Sequence, residues 1–159
     1  MTFMKLSFFA LFYAILLFIP IISFAGEITH FEDGDTFKIN GEFVRLYGVD
    51  CPESNQPYGS QATRYLKELV TGKTVEIKQI DTGDYGRPVV LVYANGKLIN
   101  KKLVQNGYTW VYDYFCKDPI CDEWKRLERK ARNADLGLWS NPDPIPPWEW
   151  RDGVRHGNS

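Results

Sequence analysis

Surplus positive charge is the first thing this sequence lacks. Its 19 Lys and Arg stand against 20 Asp and Glu over 159 residues, a net charge of −1. Bulk attraction cannot hold such a chain on a polyanion, which would need a local basic cluster or a bound cation. Cysteine is also scarce, at three residues. With 44% hydrophobic and 25% charged residues, there is enough apolar material for a proper core, so the fold need not depend on disulfides or metal. No internal repeat is present, and the length suggests one domain.

Long hydrophobic runs are missing too, with one exception. After Lys5 comes "LSFFALFYAILLFIPIISFA", apolar except for Ser7, Pro20 and Ser23. A basic residue, an apolar stretch and small residues at Ser23 and Ala25 predict an export signal over residues 1–25, cleaved after Ala25. The alternative is an uncleaved membrane anchor, since the run is long enough to span a bilayer. Either reading places residue 26 onward outside the cytoplasm, as a secreted, periplasmic or cell-surface protein. Without Lys5 the remainder has 18 basic and 20 acidic residues, a net of −2. In an oxidising compartment Cys116 and Cys121, in "CKDPIC", are near enough in sequence to form a small loop disulfide worth about 2 kcal/mol on the entropy model. That would leave Cys51 unpaired; the other possibility is that all three stay reduced.

The body reads as short strands broken by turns. "EITHFEDGDTFKINGEFVRLYGVD" carries two Gly-containing turns, "DGDT" and "NGEF". In "FVRLYGV", Phe43, Arg45, Tyr47 and Val49 alternate with Val44 and Leu46, and Gly48 marks a break or bulge. "CPESNQPYG" is a loop. "SQATRYLKELVTG" has Ala62, Tyr65, Leu66 and Leu69 at helical spacing with Gly72 as the stop. "KTVEIKQID" alternates as a strand, "TGDYG" turns, and "RPVVLVYANGKLI" is a strand closing in an Asn95–Gly96 turn. "NKKLVQNG" predicts a short helix. "DEWKRLERKARNADLG" predicts a longer one, with Asp122 as N-cap and Trp124, Leu127, Ala131 and Ala134 facing inward. The last stretch, residues 141–159, is a proline-rich tail that Trp148 and Trp150 would pin to the body. Several short antiparallel strands with one helix among them predict an α+β protein built on a five-stranded OB-type Greek-key barrel with about three helices.

Three clusters could carry chemistry: "EDGDT", "VRLYGVDCPE" and "DYGR". Taken singly, Asp33 and Asp35 suit a hairpin turn, Asp50 and Glu53 a polar loop, and Arg87 a solvated turn. Arg45 is harder to dismiss, because it shares a strand face with Phe43, Tyr47 and Val49, where an unpaired charge is costly. Together they suit hydrolysis of a phosphodiester. Arginine forks meet phosphate oxygens and keep their charge. A hard divalent cation on Asp35 and Asp50 would add a Lewis acid, and Glu53 would stand near the attacking water. One geometric difficulty stands out: Arg45 and Asp50 fall on opposite faces of a regular strand, so Gly48 or the strand end must re-aim one of them.

The runs "DGDT", "VRLYGVDCPE", "YGSQATRYLKELV", "DYGRPVVLVYANGKLINKKLVQNG" and "LGLW" resemble, in order and spacing, the staphylococcal nuclease (thermonuclease) family from about Glu27 to Ser140. The resemblance implies an OB-fold nuclease domain over residues 26–140. It implies a secreted, calcium-dependent endonuclease that cuts DNA or RNA and leaves 3′-phosphate ends; a monomer is expected, although the sequence carries no signal for oligomerisation. It implies Asp35, Asp50 and the backbone carbonyl of Cys51 as Ca²⁺ ligands, with Asp33 as a further candidate. Glu53 takes the place of the general base or water-orienting residue, and Arg45 and Arg87 match the phosphate-binding arginines. Cys51 stands where family members often have threonine, and the "SNQPYG" loop is shorter than in the staphylococcal enzyme. Tyr112 and Tyr114 are candidates for nucleotide contact or for packing. The basic residues Lys125, Arg126, Arg129, Lys130 and Arg132 would either attract nucleic acid or form a solvated helix face. The competing reading of the whole chain is a catalytically silent OB-fold binding module, against which the complete Asp35, Arg45, Asp50, Glu53 and Arg87 set argues.

Overall fold

A computed structural model describes residues 24–154. The expected signal or anchor, apart from its last two residues, and the final five residues of the tail lie outside that range. The strands are β1 (Phe24–Ala25), β2 (Ile28–Phe31), β3 (Thr36–Ile39), β4 (Glu42–Leu46), β5 (Val49–Asp50), β6 (Val75–Thr82), β7 (Pro88–Ala94), β8 (Lys97–Leu98) and β9 (Trp110–Val111). The helices are α1 (Gly59–Val70), α2 (Ile99–Gln105), α3 (Ile120–Asn133) and α4 (Pro147–Arg151). The predicted α+β architecture is present, with strand and helix in similar amounts rather than mainly β, and with four α-helices where about three were expected.

The main sheet runs β1-β6-β7-β4-β3-β2, with β8 extending it from β7. Its ladders are antiparallel except β4 on β7. The order ends at β1 and β2, so among the described residues the hydrogen-bonded sheet is an open path rather than a closed ring. A separate two-stranded ladder joins β5 to β9. The β3–β4 connection is the two-residue Asn40–Gly41 turn, with φ of 51° and 85°, a left-handed pair that matches the twist of a hairpin. Asn95–Gly96 repeats it between β7 and β8.

The core is what the periodicities select. From α1 it takes Ala62, Leu66 and Val70; from the sheet Phe37, Val44, Leu46, Val90 and Val92; from α2 Ile99 and Leu103; from α3 Trp124. Asn100 is wholly buried among them. Its side-chain oxygen accepts from the Val92 amide at 3.0 Å, and its Nδ2 donates to the Tyr47 and Val90 carbonyls at 3.1 and 3.2 Å. All its hydrogen-bonding capacity on that side is used, so it ties β7 to the turn after β4 rather than weakening the core.

Two expectations about α3 are corrected. Asp122 is not the N-cap: the helix starts at Ile120, behind Pro119, and no side chain caps it. The Cys116–Cys121 disulfide, with Cα atoms 5.7 Å apart, draws the chain into the helix one residue before Asp122. Asp122 and Glu123 occupy the first turn instead, where carboxylates meet the positive end of the helix dipole. Ala134 is exposed, because the helix has ended at Asn133. The tail is more structured than a tail need be. Pro147 opens α4 at a position where the missing N–H costs nothing. Trp148 stacks on Tyr112 at 5.0 Å and 14°, and the Trp150 indole N–H donates to Asn55 Oδ1 at 3.0 Å.

Candidate active site

The acidic turn before β3 places the first carboxylate. Asp33 Oδ1 accepts from the amides of Asp35 and Thr36 at 2.9 and 2.7 Å, a side-chain-capped turn of the kind Asp favours. With its turn closed by Asp33, Asp35 points inward and is 1% exposed. Asp35 Oδ1 accepts from the Thr36 hydroxyl at 3.0 Å and its Oδ2 from the Cys51 amide at 2.6 Å. Asp33 thus serves the turn with one oxygen while staying beside the site.

Arg45 lies opposite Thr36 in the β3–β4 register. Val44 and Leu46 on either side of it are buried in the core, so alternation sends Arg45 to the other face. Its Nη1 lies 3.3 Å from Asp35 Oδ1 and its Nη2 2.7 Å from Asp50 Oδ1. The parity difficulty is resolved at Gly48. Strand β4 stops at Leu46, Tyr47–Gly48 form a turn, and β5 restarts at Val49 on a different ladder. Gly48 has φ of 71°, and a Cβ there would sit 2.6 Å from Cys116 Sγ and 3.0 Å from the Trp124 ring. Only glycine meets both demands, and the turn it makes brings Asp50, 1% exposed, back to Arg45.

Glu53 follows Pro52 and is partly exposed. Its amide donates to Gln56 Oε1 at 3.0 Å, while Gln56 Nε2 donates to the Ile145 carbonyl at 2.6 Å, stitching the loop to the tail. Arg87 arrives from another direction, after a 3-10 turn over Asp84–Gly86. Its Nε is buried and has no hydrogen-bond partner among the described residues. Arg45, Glu53 and Arg87 line one cavity of about 580 Å³, together with Tyr112, Phe115 and Arg151. Tyr112 is half-buried under Trp148, whereas Tyr114 is exposed and stacks edge-on with Phe115. Tyr85, at the tip of the loop before Arg87, is fully exposed.

Burial dominates the electrostatics. It pushes the Asp35 carboxyl up to about 7 against the pull of Arg45, with Asp33 and Asp50 adding repulsion. Burial also raises Asp33. At Arg45 burial opposes the charge, but Asp35 and then Asp50 outweigh it and hold the guanidinium firmly protonated. Burial pushes the Cys51 thiol well up, helped by Asp35, so the sulfur is a poor nucleophile. Cys51 is the free cysteine; Cys116 and Cys121 form the disulfide.

One site residue was absent from the sequence reading. Arg151, on α4, reaches Asp50 and Glu53. The signal for it was weak: a cation next to tryptophans in a polar tail. The α3 basic face is partly spent within the protein, since Lys125 pairs with Asp113 at 2.8 Å, Arg132 pairs with Glu128 at 2.8 Å, and Arg132 also stacks over Trp139.

The donor chemistry suits a hard cation. Asp33, Asp35, Asp50 and Glu53 gather around two guanidiniums, those of Arg45 and Arg151, leaving a surplus of negative charge with two carboxylates almost wholly buried. No three carboxylate, thiol or imidazole side chains among the described residues form a closed cage, so a cation would rest on Asp35, Asp50 and main-chain or water oxygens.

A family model of staphylococcal nuclease homologues matches residues 43–141. The chain is 38% identical over 131 residues to an Escherichia coli O157:H7 protein named an uncharacterized endonuclease, a match covering 79% of this chain and 84% of that one. It is 35% identical over 149 residues to a micrococcal nuclease of Shigella flexneri, covering 86% and 85%. A 38.1 kDa protein of Capnoides sempervirens is 40% identical over 114 residues, and there the chain spans 33% of its relative's length.

Proposed function

The chain belongs to the staphylococcal nuclease family, and from that membership we propose that it is a calcium-dependent nuclease hydrolysing phosphodiester bonds of DNA or RNA. The observation that carries the reading is the convergence, in one cavity, of two arginines from different elements and a carboxylate beside a buried acidic pair. Arg87 lines the same cavity and carries a buried Nε with no partner among the described residues, and a guanidinium with an unmet donor is what an anionic ligand would engage. Arg45 approaches the same cavity from β4. Two guanidiniums on the phosphate oxygens would neutralise the charge that grows there in the transition state.

Glu53 is the base at hand. It takes a proton from a water whose oxygen attacks phosphorus, or aims that water. The bond from phosphorus to the 5′-oxygen breaks, and that oxygen takes a proton from solvent, leaving a 3′-phosphate and a 5′-hydroxyl. Asp35 and Asp50, with the Cys51 carbonyl, would hold calcium, which supplies Lewis acidity at the phosphate when bound. The acids act through their oxygens and Cys51 through its backbone, so the high thiol pKa is no obstacle. The N-terminal segment marks the protein for export, with residues 26–140 as the nuclease domain and a monomer as the working unit.

The test is cleavage of denatured DNA and of RNA by the purified protein, with calcium and with a chelator. Calcium-dependent cleavage yielding 3′-phosphate ends is expected. Nucleic-acid binding without cleavage in calcium would instead identify a silent OB-fold binding module.

A further inference from the structure

The tail enters the site. Arg151 Nη2 lies 2.8 Å from Asp50 Oδ2, and its Nη1 lies 3.2 Å from Asp50 Oδ1 and 2.6 Å from Glu53 Oε1. One guanidinium therefore makes three charge-assisted bonds, two of them a fork on a carboxylate that is 1% exposed. The neighbouring contacts aim it there: Trp148 on Tyr112, Trp150 on Asn55, and the Ile145 carbonyl on Gln56. Yet α4 is five residues long, Arg151 is its last residue, and its side chain is 42% exposed. The hold is geometric, not a deep burial, and it is open to competition.

The carboxylate already carries two cations and has little room for a third. Asp50 Oδ1 already accepts from Arg45 and Arg151, and Oδ2 accepts from Arg151. A metal ion on Asp50 needs one of those oxygens, and like charges at one carboxylate repel. We propose that Arg151 is a further active-site residue, a tethered cation that neutralises Asp50 and Glu53 in the metal-free protein and gives up Asp50 when calcium binds. The inference rests on the reading of Asp50 as a calcium ligand. It makes residues 141–154 part of the site rather than a trailing segment, and it makes calcium affinity a property of the tail as well as of the sheet that carries Arg45.

The experiment is calorimetric titration of the full chain with calcium, for the wild type, Arg151→Gln and Arg151→Lys. Arg151→Gln should bind calcium roughly tenfold more tightly, the equivalent of about 1.4 kcal/mol. Arg151→Lys should fall between, since it keeps the charge without the fork. Hydrogen exchange supplies a readout independent of affinity: calcium should speed exchange of the amides of residues 147–154 in the wild type. Equal or weaker calcium binding by Arg151→Gln overturns the competition while leaving calcium binding intact. Unchanged exchange in the tail on calcium binding overturns it too. Calcium binding by none of the three overturns the calcium reading and this inference with it.

Discussion

Arg45 and Arg87 face the same cavity but are held in opposite ways. Arg45 stands on a strand between two core residues and is engaged with Asp35 and Asp50. Arg87 follows a short turn with left-handed backbone at Tyr85 and Gly86, and its buried Nε has no partner among the described residues. The floor of the site is pre-paired, so its charges are organised at the expense of their freedom. The wall is unpaired, so its charge is at the disposal of an incoming anion. A site that holds buried carboxylates and would also bind an anion is served by both kinds of arginine: one shared with the acids, one with no partner of its own.

The sharpest way to break that contrast is Arg45→Ala. It strips Asp35 and Asp50 of a shared partner, so it should cost about 3 kcal/mol of stability in urea denaturation and abolish measurable cleavage. A variant as stable as wild type would show that Arg45 is no structural keystone. Glu53→Gln comes next. It keeps shape and substrate binding but removes the base, and cleavage should fall by about a thousandfold in single-turnover assays; full activity would move the base elsewhere. Arg87→Ala should slow cleavage by roughly a hundredfold while leaving the melting temperature unchanged. A stability loss like that of Arg45→Ala would erase the distinction between floor and wall. Smallest is Cys51→Thr: activity stays near wild type, measured in the same cleavage assay. An inactive, folded Cys51→Thr protein would give the sulfur a role that its burial argues against.

Much of the scaffold was legible because local rules and tertiary demands agreed. The α1 spacing, the Asn–Gly turns and the first half of β6 each match the structure, since periodicity decides which face is buried; past Lys78 the β6 alternation breaks, with Gln79 exposed and Ile80 turned inward at a register shift. The start of α3 was not legible, because Asp122 satisfies a local capping preference that the disulfide and Pro119 override. Gly48 was visible as a break, but not the direction of the break. That depends on Cys116 and Trp124, which pack against it from distant sequence.

Chemistry of side chains and their order along the chain were enough to nominate Asp35, Arg45, Asp50, Glu53 and Arg87, because a phosphate-cleaving site needs those charges and few others. The sequence did not reveal which arginine is bound and which is available, or that Arg151 joins them. Arg151 is 101 residues from Asp50 and 98 from Glu53, and no local pattern links positions so far apart. Their meeting depends on the stacking of Trp148 on Tyr112 and the closing of the Gln56 loop against Ile145. Such contacts exist only once the body of the protein has folded and offers a surface on which the tail can settle.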